Sequence, residues 1–211
     1  ARPVPTKPEE TSTTESSVVR RREVDHNDPE VVEAQNDGSL RLLATQAELY
    51  GVEDSEIAIY DGQMCVGWWT RKSDFIRWQV ESPRTGAFDA LLQYSIPDRW
   101  AGNWVEITSG PSRLIFQVPT TGSFDQFSLN KIGALHLTAG LNEVVMRPLT
   151  PVNGEVADVK ELRLVAVDEA MPGLPAGGLG PDQTTADLRV PAGYEVSLFA
   201  AEPLLANPSS L

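Results

Sequence analysis

Apolar and polar residues alternate over two stretches near the middle of the chain. In residues 74–81, Ile76, Trp78 and Val80 alternate with Phe75, Arg77, Gln79 and Glu81. In residues 86–96, Phe88, Ala90, Leu92, Tyr94 and Ile96 alternate with Ala87, Asp89, Leu91, Gln93 and Ser95. Side chains two apart share one face of a strand, so each stretch can send an apolar row into a core. The intervening SPRTG is turn chemistry. The two stretches therefore read as a paired two-strand unit at the centre of an all-β domain.

Shorter stretches with the same period surround this unit. Residues 39–51 give a first strand and a turn. Residues 56–60 and 63–69 flank Asp61-Gly62, a hairpin signal. Strands follow at 103–108, 113–118, 123–129 and 133–138. A turn at Ala139-Gly140 leads to 142–149, and 160–167 closes the series. About ten short strands with Gly, Pro, Asn and Asp turns leave no room for helices and predict a jelly-roll β-sandwich.

The flanks differ. Residues 1–38 hold few core-formers and include Pro3, Pro5, Pro8 and TSTTESS, and they read as a linker or extended, disordered arm. The basic triplet at 20–22 sits among carboxylates and reads as a solvated charge cluster. Asp25-His26-Asn27-Asp28 lacks a second ligand cluster and reads as a turn rather than a metal site. The sandwich is expected over 39–168. Residues 169–188 are a Pro/Gly-rich linker, and 189–211 resume an alternating strand, read as the truncated start of a further domain.

Composition narrows the function. A formal net charge of −13 disfavours nucleic acid and anionic membrane surfaces as partners. Cys65 is the single cysteine, which excludes a disulfide framework and cysteine-based zinc or haem motifs. No apolar run approaches the ~20 residues of a membrane span, and the charged first ten residues have no apolar centre of a signal peptide. The abrupt start and end are those expected of a piece of a longer protein.

Catalytic signals are thin. His136 lies between Leu135 and Leu137 and points away from them, and no nucleophile elbow, P-loop, dinucleotide fingerprint or zinc motif occurs. The chain is therefore not read as an enzyme. All five tryptophans lie between 68 and 104. Exposed rings stack on the C–H faces of sugars while carboxylates and amides take the hydroxyls. Trp78 belongs to a core row. Trp68 and Trp69 are adjacent, so one faces inward and the other outward. Trp100 and Trp104 flank a loop that can expose at least one ring.

From about Ser39 to Asp168 the chain resembles carbohydrate-binding modules of families 6 and 35. The motifs are QAELYG (46–51), VGWWTRKSDFIRW (66–78), RTGAFDALLQYS (84–95), VPTTGSFDQF (118–127), LTAGLNEVVMRP (137–148) and DVKELRL (158–164). The resemblance implies a jelly roll that binds oligo- or polysaccharide without cleaving it, in a cleft at one end. It places the two sugar-stacking aromatics at Trp68 and Phe124 and the amide position at Asp158, which gives a hydrogen bond to the ligand. It also implies a structural calcium through Gln46 and Glu48, but Lys160 stands where the family has an aspartate, and an ammonium there disfavours the cation; no cofactor is expected. Residues 190–211 resemble the opening of the sugar-dehydrogenase-like propellers of planctomycete-type bacteria. The implied protein is an exported bacterial multidomain one, in which the module holds a neighbouring domain near polysaccharide. The alternative is a structural or protein-docking sandwich that has lost sugar binding.

Overall fold

The structure is a computed structural model, and it describes residues 18–167. The expected linker at 169–188 and the further domain at 189–211 lie outside the described residues. In chain order the strands are β1 (Arg20–Arg22), β2 (Val31–Val32), β3 (Leu40–Leu43), β4 (Glu48–Gly51), β5 (Ala58–Tyr60), β6 (Cys65–Gly67), β7 (Phe75–Ser82), β8 (Gly86–Ser95), β9 (Trp104–Ser109), β10 (Ser112–Gln117), β11 (Ser128–Leu137), β12 (Gly140–Pro148) and β13 (Asp158–Ala166). Sheet I runs β1-β4-β7-β12-β9-β10 with β2 beside β7, and sheet II runs β11-β8-β13-β6-β5 with β3 beside β13. Only two short 3-10 turns, Ala44–Gln46 and Asp98–Trp100, interrupt the strands among the described residues. This is the all-β jelly-roll sandwich that the alternating pattern predicts.

The central pair behaves differently from expectation. The strands β7 and β8 do not pair: β7 lies in sheet I and β8 in sheet II. The physical reason is their patterning. Each carries one continuous apolar row, and a hairpin would place both rows on one wall with nothing opposite. Placed in facing sheets, Ile76, Trp78 and Val80 meet a wall of Phe88, Ala90, Leu92 and Tyr94, and all seven are fully buried. Residues 83–85 therefore cross between layers. Ser82 Oγ donates to Arg84 O at 2.8 Å, and Arg84 Nη2 donates to Val167 O at 3.2 Å. Trp78 loses no hydrogen bond on burial, because its indole N–H donates to Leu43 O at 2.8 Å.

Two further differences concern the segments with little pattern. Within residues 18–38, β1 pairs antiparallel with β4, and β2 lies parallel to β7. Val32 is buried, and Asn27 Nδ2 donates to Thr45 O at 3.0 Å and Ala47 O at 2.7 Å. One apolar anchor and side-chain hydrogen bonds hold this segment, which composition alone does not reveal. The Arg20–Arg22 triplet is thus an edge strand, and His26 occupies a turn at φ 59°. In the second difference, the expected strands at 123–129 and 133–138 become one, β11, which begins only at Ser128. Its register shifts between Lys131 and Gly133, a bulge rather than a break. Gly133 has φ 144°, and a Cβ there would come within 2.4 Å of the Leu114 side chain.

Candidate functional site

Sheet order positions the expected site residues. Because β13 lies between β8 and β6, its first residues stand where β8 and β6 both end. Asp158 is opposite Ser95 of β8, and Val159 is opposite Val66 of β6. Trp68 follows Gly67 at the end of β6. Ser95 Oγ donates to Phe124 O at 2.8 Å, tying the loop that carries Phe124 to the end of β8. The residue after β6, Trp68, and the loop that carries Phe124 therefore lie on either side of the start of β13, where Asp158 stands.

Each flank is built by local chemistry. On the Phe124 side, the TTG of residues 120–122 forms a turn with Gly122 at φ 90°. Thr121 N donates to Ile96 O at 3.0 Å, and Thr121 Oγ1 accepts from Ile96 N at 2.8 Å. Thr120 Oγ1 donates to Asp98 Oδ1 at 2.5 Å. These bonds fix the turn that delivers Phe124 against Trp100, edge to face, with centroids 5.5 Å apart and planes at 63°. Trp100 itself lies against Gly154, where a Cβ would come within 2.3 Å of the ring. The backbone around Gly154 is pinned by Asn103, whose Nδ2 donates to Glu155 O at 2.7 Å and whose Oδ1 accepts from Asn153 N at 2.8 Å. The Arg99 guanidinium lies 4.5 Å from the Trp100 ring centroid.

On the Trp68 side, Asp61-Gly62 is the hairpin turn that the sequence predicts, with Tyr60 opposite Cys65. Tyr60 O accepts from Met64 N at 2.7 Å, and Met64 takes φ 53° to close the loop. Tyr60 and Trp68 pack edge to face, 5.5 Å apart with planes at 88°. The structure settles the adjacent tryptophans: Trp69 is fully buried and Trp68 is half-buried. Trp69 Nε1 donates to Asp74 O at 3.1 Å, and Trp69 O accepts from Val156 N at 2.8 Å. Trp68 has φ 51°, a left-handed conformation that is uncommon for a bulky residue. The kink at this position separates the paths of the two indoles.

Beneath this flank, burial pushes the Asp74 carboxyl above its usual range, against the hydrogen bond from Ser55 Oγ at 2.7 Å. Gln63 Nε2 reaches Asp125 Oδ1 at 3.5 Å, joining the β5–β6 loop to the Phe124 loop. Asp158 is fully buried. Tyr60 and Trp100 complete the rings of the two flanks. Tyr60 precedes a recognisable hairpin turn, which is the signal that could have found it. Trp104, the other loop candidate, is 43% exposed on sheet I and belongs to neither ring pair.

The residues implied for calcium do not fit a cation. The Glu48 carboxylate accepts from Arg77 Nε at 2.6 Å, also from Arg77 Nη2, and from Tyr50 OH at 3.0 Å. Arg21 Nη1 lies 3.4 Å from its other oxygen. Gln46 turns its amide oxygen to Leu43 N at 3.1 Å and its NH2 to Glu30 at 2.6 Å. Lys160 sits in sheet II with Nζ 3.9 Å from the Phe127 ring centroid. Among the described residues, no group of three or more His, Cys, Asp or Glu is placed to hold a metal ion, and no helix is long and apolar enough to cross a membrane.

No protein-family model and no curated protein matches the chain. Among solved structures it is similar to a family 35 carbohydrate-binding module from Clostridium thermocellum, with a TM-score of 0.50 and 19% identity, over 61% of this chain and 98% of that one. A CBM35 from Cellvibrio japonicus Abf62 aligns with a TM-score of 0.48 and 18% identity, over 62% of this chain and 94% of that one. Xyl-CBM35, solved with a disaccharide containing glucuronic acid, gives 0.48 and 16%, over 61% and 94%. The likeness to the Clostridium thermocellum module is one of fold: this chain shares its β-sandwich architecture.

Proposed function

We propose that the sandwich is a non-catalytic glycan-binding module, and that it holds a neighbouring domain of an exported multidomain protein near polysaccharide. The observation that carries this reading is the pair of aromatic flanks, Tyr60–Trp68 and Trp100–Phe124, on either side of the start of β13. Sugar C–H faces would stack on Trp68 and Phe124, and hydroxyls would meet the polar rim of Gln63, Asp125 and Arg99. Asp158 is fully buried, so a sugar hydroxyl reaches it only if the surrounding loops move. One shallow site binds weakly, and its use lies in raising the effective concentration of what it tethers.

Glycan-array screening followed by titration, with the Trp68→Ala chain alongside, tests the proposal. Saturable binding to one glycan class that is lost in the variant supports it. Absence of binding at millimolar sugar sinks it. One observation favours a second reading, a structural or docking sandwich without sugar binding: the buried Asp158 and the packing of Phe124 against the core both suit a purely structural loop end. Under that reading Trp68→Ala changes no glycan affinity.

A further inference from the structure

We infer that Arg77 takes the place of a divalent cation at the glutamate of β4, so that this sandwich keeps its structure without calcium. The inference stands on the outer face of sheet I. Glu48 of β4 lies directly opposite Arg77 of β7, and Arg77 also reaches Glu143 of β12 at 2.8 Å through Nη1. Arg21 of β1 approaches Glu48 from the other side. Four neighbouring strands are thereby joined through one guanidinium and two carboxylates, with a second guanidinium at the edge. Two cations face two anions, which leaves no surplus negative charge for a metal to neutralise.

The donor set points the same way. Calcium takes six to eight oxygen ligands at about 2.3–2.6 Å. Here the Glu48 oxygens receive N–H and O–H donors, and a metal would have to expel a guanidinium held by two nitrogens. Both Arg77 nitrogens converge on Glu48 Oε2, and such charge-assisted hydrogen bonds are stronger than neutral ones. The Glu48 side chain is 15% exposed and that of Arg77 27% exposed, so solvent screens the pair only in part. The ionisation of the partners agrees. Burial alone would raise the Glu48 carboxyl, but hydrogen bonds from Arg77 and Tyr50 outweigh it and hold the group below its usual range. Burial alone would lower Arg77, and Glu48 outweighs that to raise it.

The test is thermal unfolding of the full chain after dialysis against EDTA, repeated with calcium added to millimolar concentration. The expected result is a midpoint that shifts by less than about 1 °C, with no saturable heat on calorimetric titration. Arg77→Met should lower the midpoint by several degrees in EDTA. A saturable, calcium-dependent rise in the wild-type midpoint overturns the inference, and so does an Arg77→Met chain as stable as the wild type in EDTA. Should Arg77→Met fail to fold, Glu48→Gln supplies the second readout. It should flatten the fall of the midpoint below about pH 4.5, because a carboxyl held below its ordinary value contributes stability that is lost as pH falls through its folded value. An unchanged acid limb in Glu48→Gln overturns the inference as well. None of these outcomes depends on whether the loop end binds sugar.

Discussion

The outer face of sheet I and the loop end of sheet II use the same residue types to different ends. On sheet I, Tyr50 and Phe75 stack face to face at 4.5 Å with planes at 6°. Arg77 lies 5.1 Å from the Tyr50 centroid and Arg147 lies 5.2 Å from that of Phe75. The rings and cations sit at cross-strand positions, where register fixes every neighbour. At the end of sheet II the rings meet edge to face. Tyr60 is the last residue of β5, whereas Trp68, Trp100 and Phe124 sit on turns or just past a strand end. An edge-to-face contact engages one face of one ring. Turn chemistry, not register, sets where these last three rings stand, so their loops can change without disturbing the ladder. Rings fixed by register serve the fold, and under the proposed function rings delivered by turns are the ones that meet the glycan.

The largest expected effect tests the boundary between the two roles within a single dipeptide. Trp69→Ala removes a fully buried indole that is hydrogen-bonded to Asp74 O. It should cost about 3–5 kcal/mol in denaturant unfolding. Trp68→Ala, one residue away, should cost about 1 kcal/mol, the scale of a lost edge-to-face contact. Equal losses would mean that Trp68 serves the fold as Trp69 does, and the contrast would fail.

The next effect concerns where the folding unit begins. A chain cut at Ser39 loses β1, β2, buried Val32, the Asn27 hydrogen bonds and the Arg21 contact to Glu48. Burial of one valine and one or two net hydrogen bonds put the loss at about 2–4 kcal/mol. An unfolding midpoint equal to that of the full chain would return residues 18–38 to the status of a loose arm.

That segment shows what the sequence conceals. Period-two alternation made the long strands legible, because burying one face of a sheet writes itself into every second residue. β7 and β8 follow from that alternation, the Asp61-Gly62 hairpin from its turn chemistry, and the TTG motif from the resemblance. Alternation says which face is buried but not which partner is opposite, so the pattern of β7 and β8 predicts a pair where the structure has two opposing walls. β1 and β2 span three and two residues, too short for any period, and tertiary contacts hold them. Strand order brings the ends of β6 and β8 to the start of β13, so Trp68, the Phe124 loop and Asp158 are neighbours. The burial of Asp158, the shelf beneath Trp100 and the pairing of Glu48 with Arg77 depend on contacts between distant residues, which local sequence does not carry.

A smaller effect sharpens the electrostatic side of the contrast. Glu161 of β13 is almost fully buried between Arg41, with Nη2 at 2.5 Å, and Arg163, also at 2.5 Å. Burial raises its carboxyl, but the two arginines outweigh that and leave it below its usual range, as happens to Glu48. A carboxyl with a depressed folded value contributes stability above its unfolded value of 4.5, and that stability is lost as pH falls through the folded value. Asp74 runs the other way. Its raised value means that protonation favours the folded state, so it offsets part of the loss as pH falls toward its ordinary value of 3.8. The stability of the wild type should therefore fall below about pH 4.5. Glu161→Gln should cost about 1.5–3 kcal/mol at pH 7 and flatten the fall. Asp74→Asn should steepen it. Parallel acid limbs for all three chains would remove these groups from the account.

The smallest effect isolates the backbone at Trp68. With φ 51°, any L side chain at this position carries the cost of the left-handed region. Glycine takes that conformation without a Cβ clash, though it enters folding with more chain entropy to lose. Trp68→Gly and Trp68→Ala both remove the ring, so they share the loss of its contact with Tyr60. Their difference reports the backbone alone. The glycine variant should be more stable than the alanine variant by about 0.5–1 kcal/mol, despite its entropic handicap. The opposite order would place Trp68 in ordinary extended backbone, and then the kink could not be what parts the two indoles. If the order holds and both variants lose glycan affinity to the same extent, the strain belongs to the delivery of the ring and the ring itself belongs to binding.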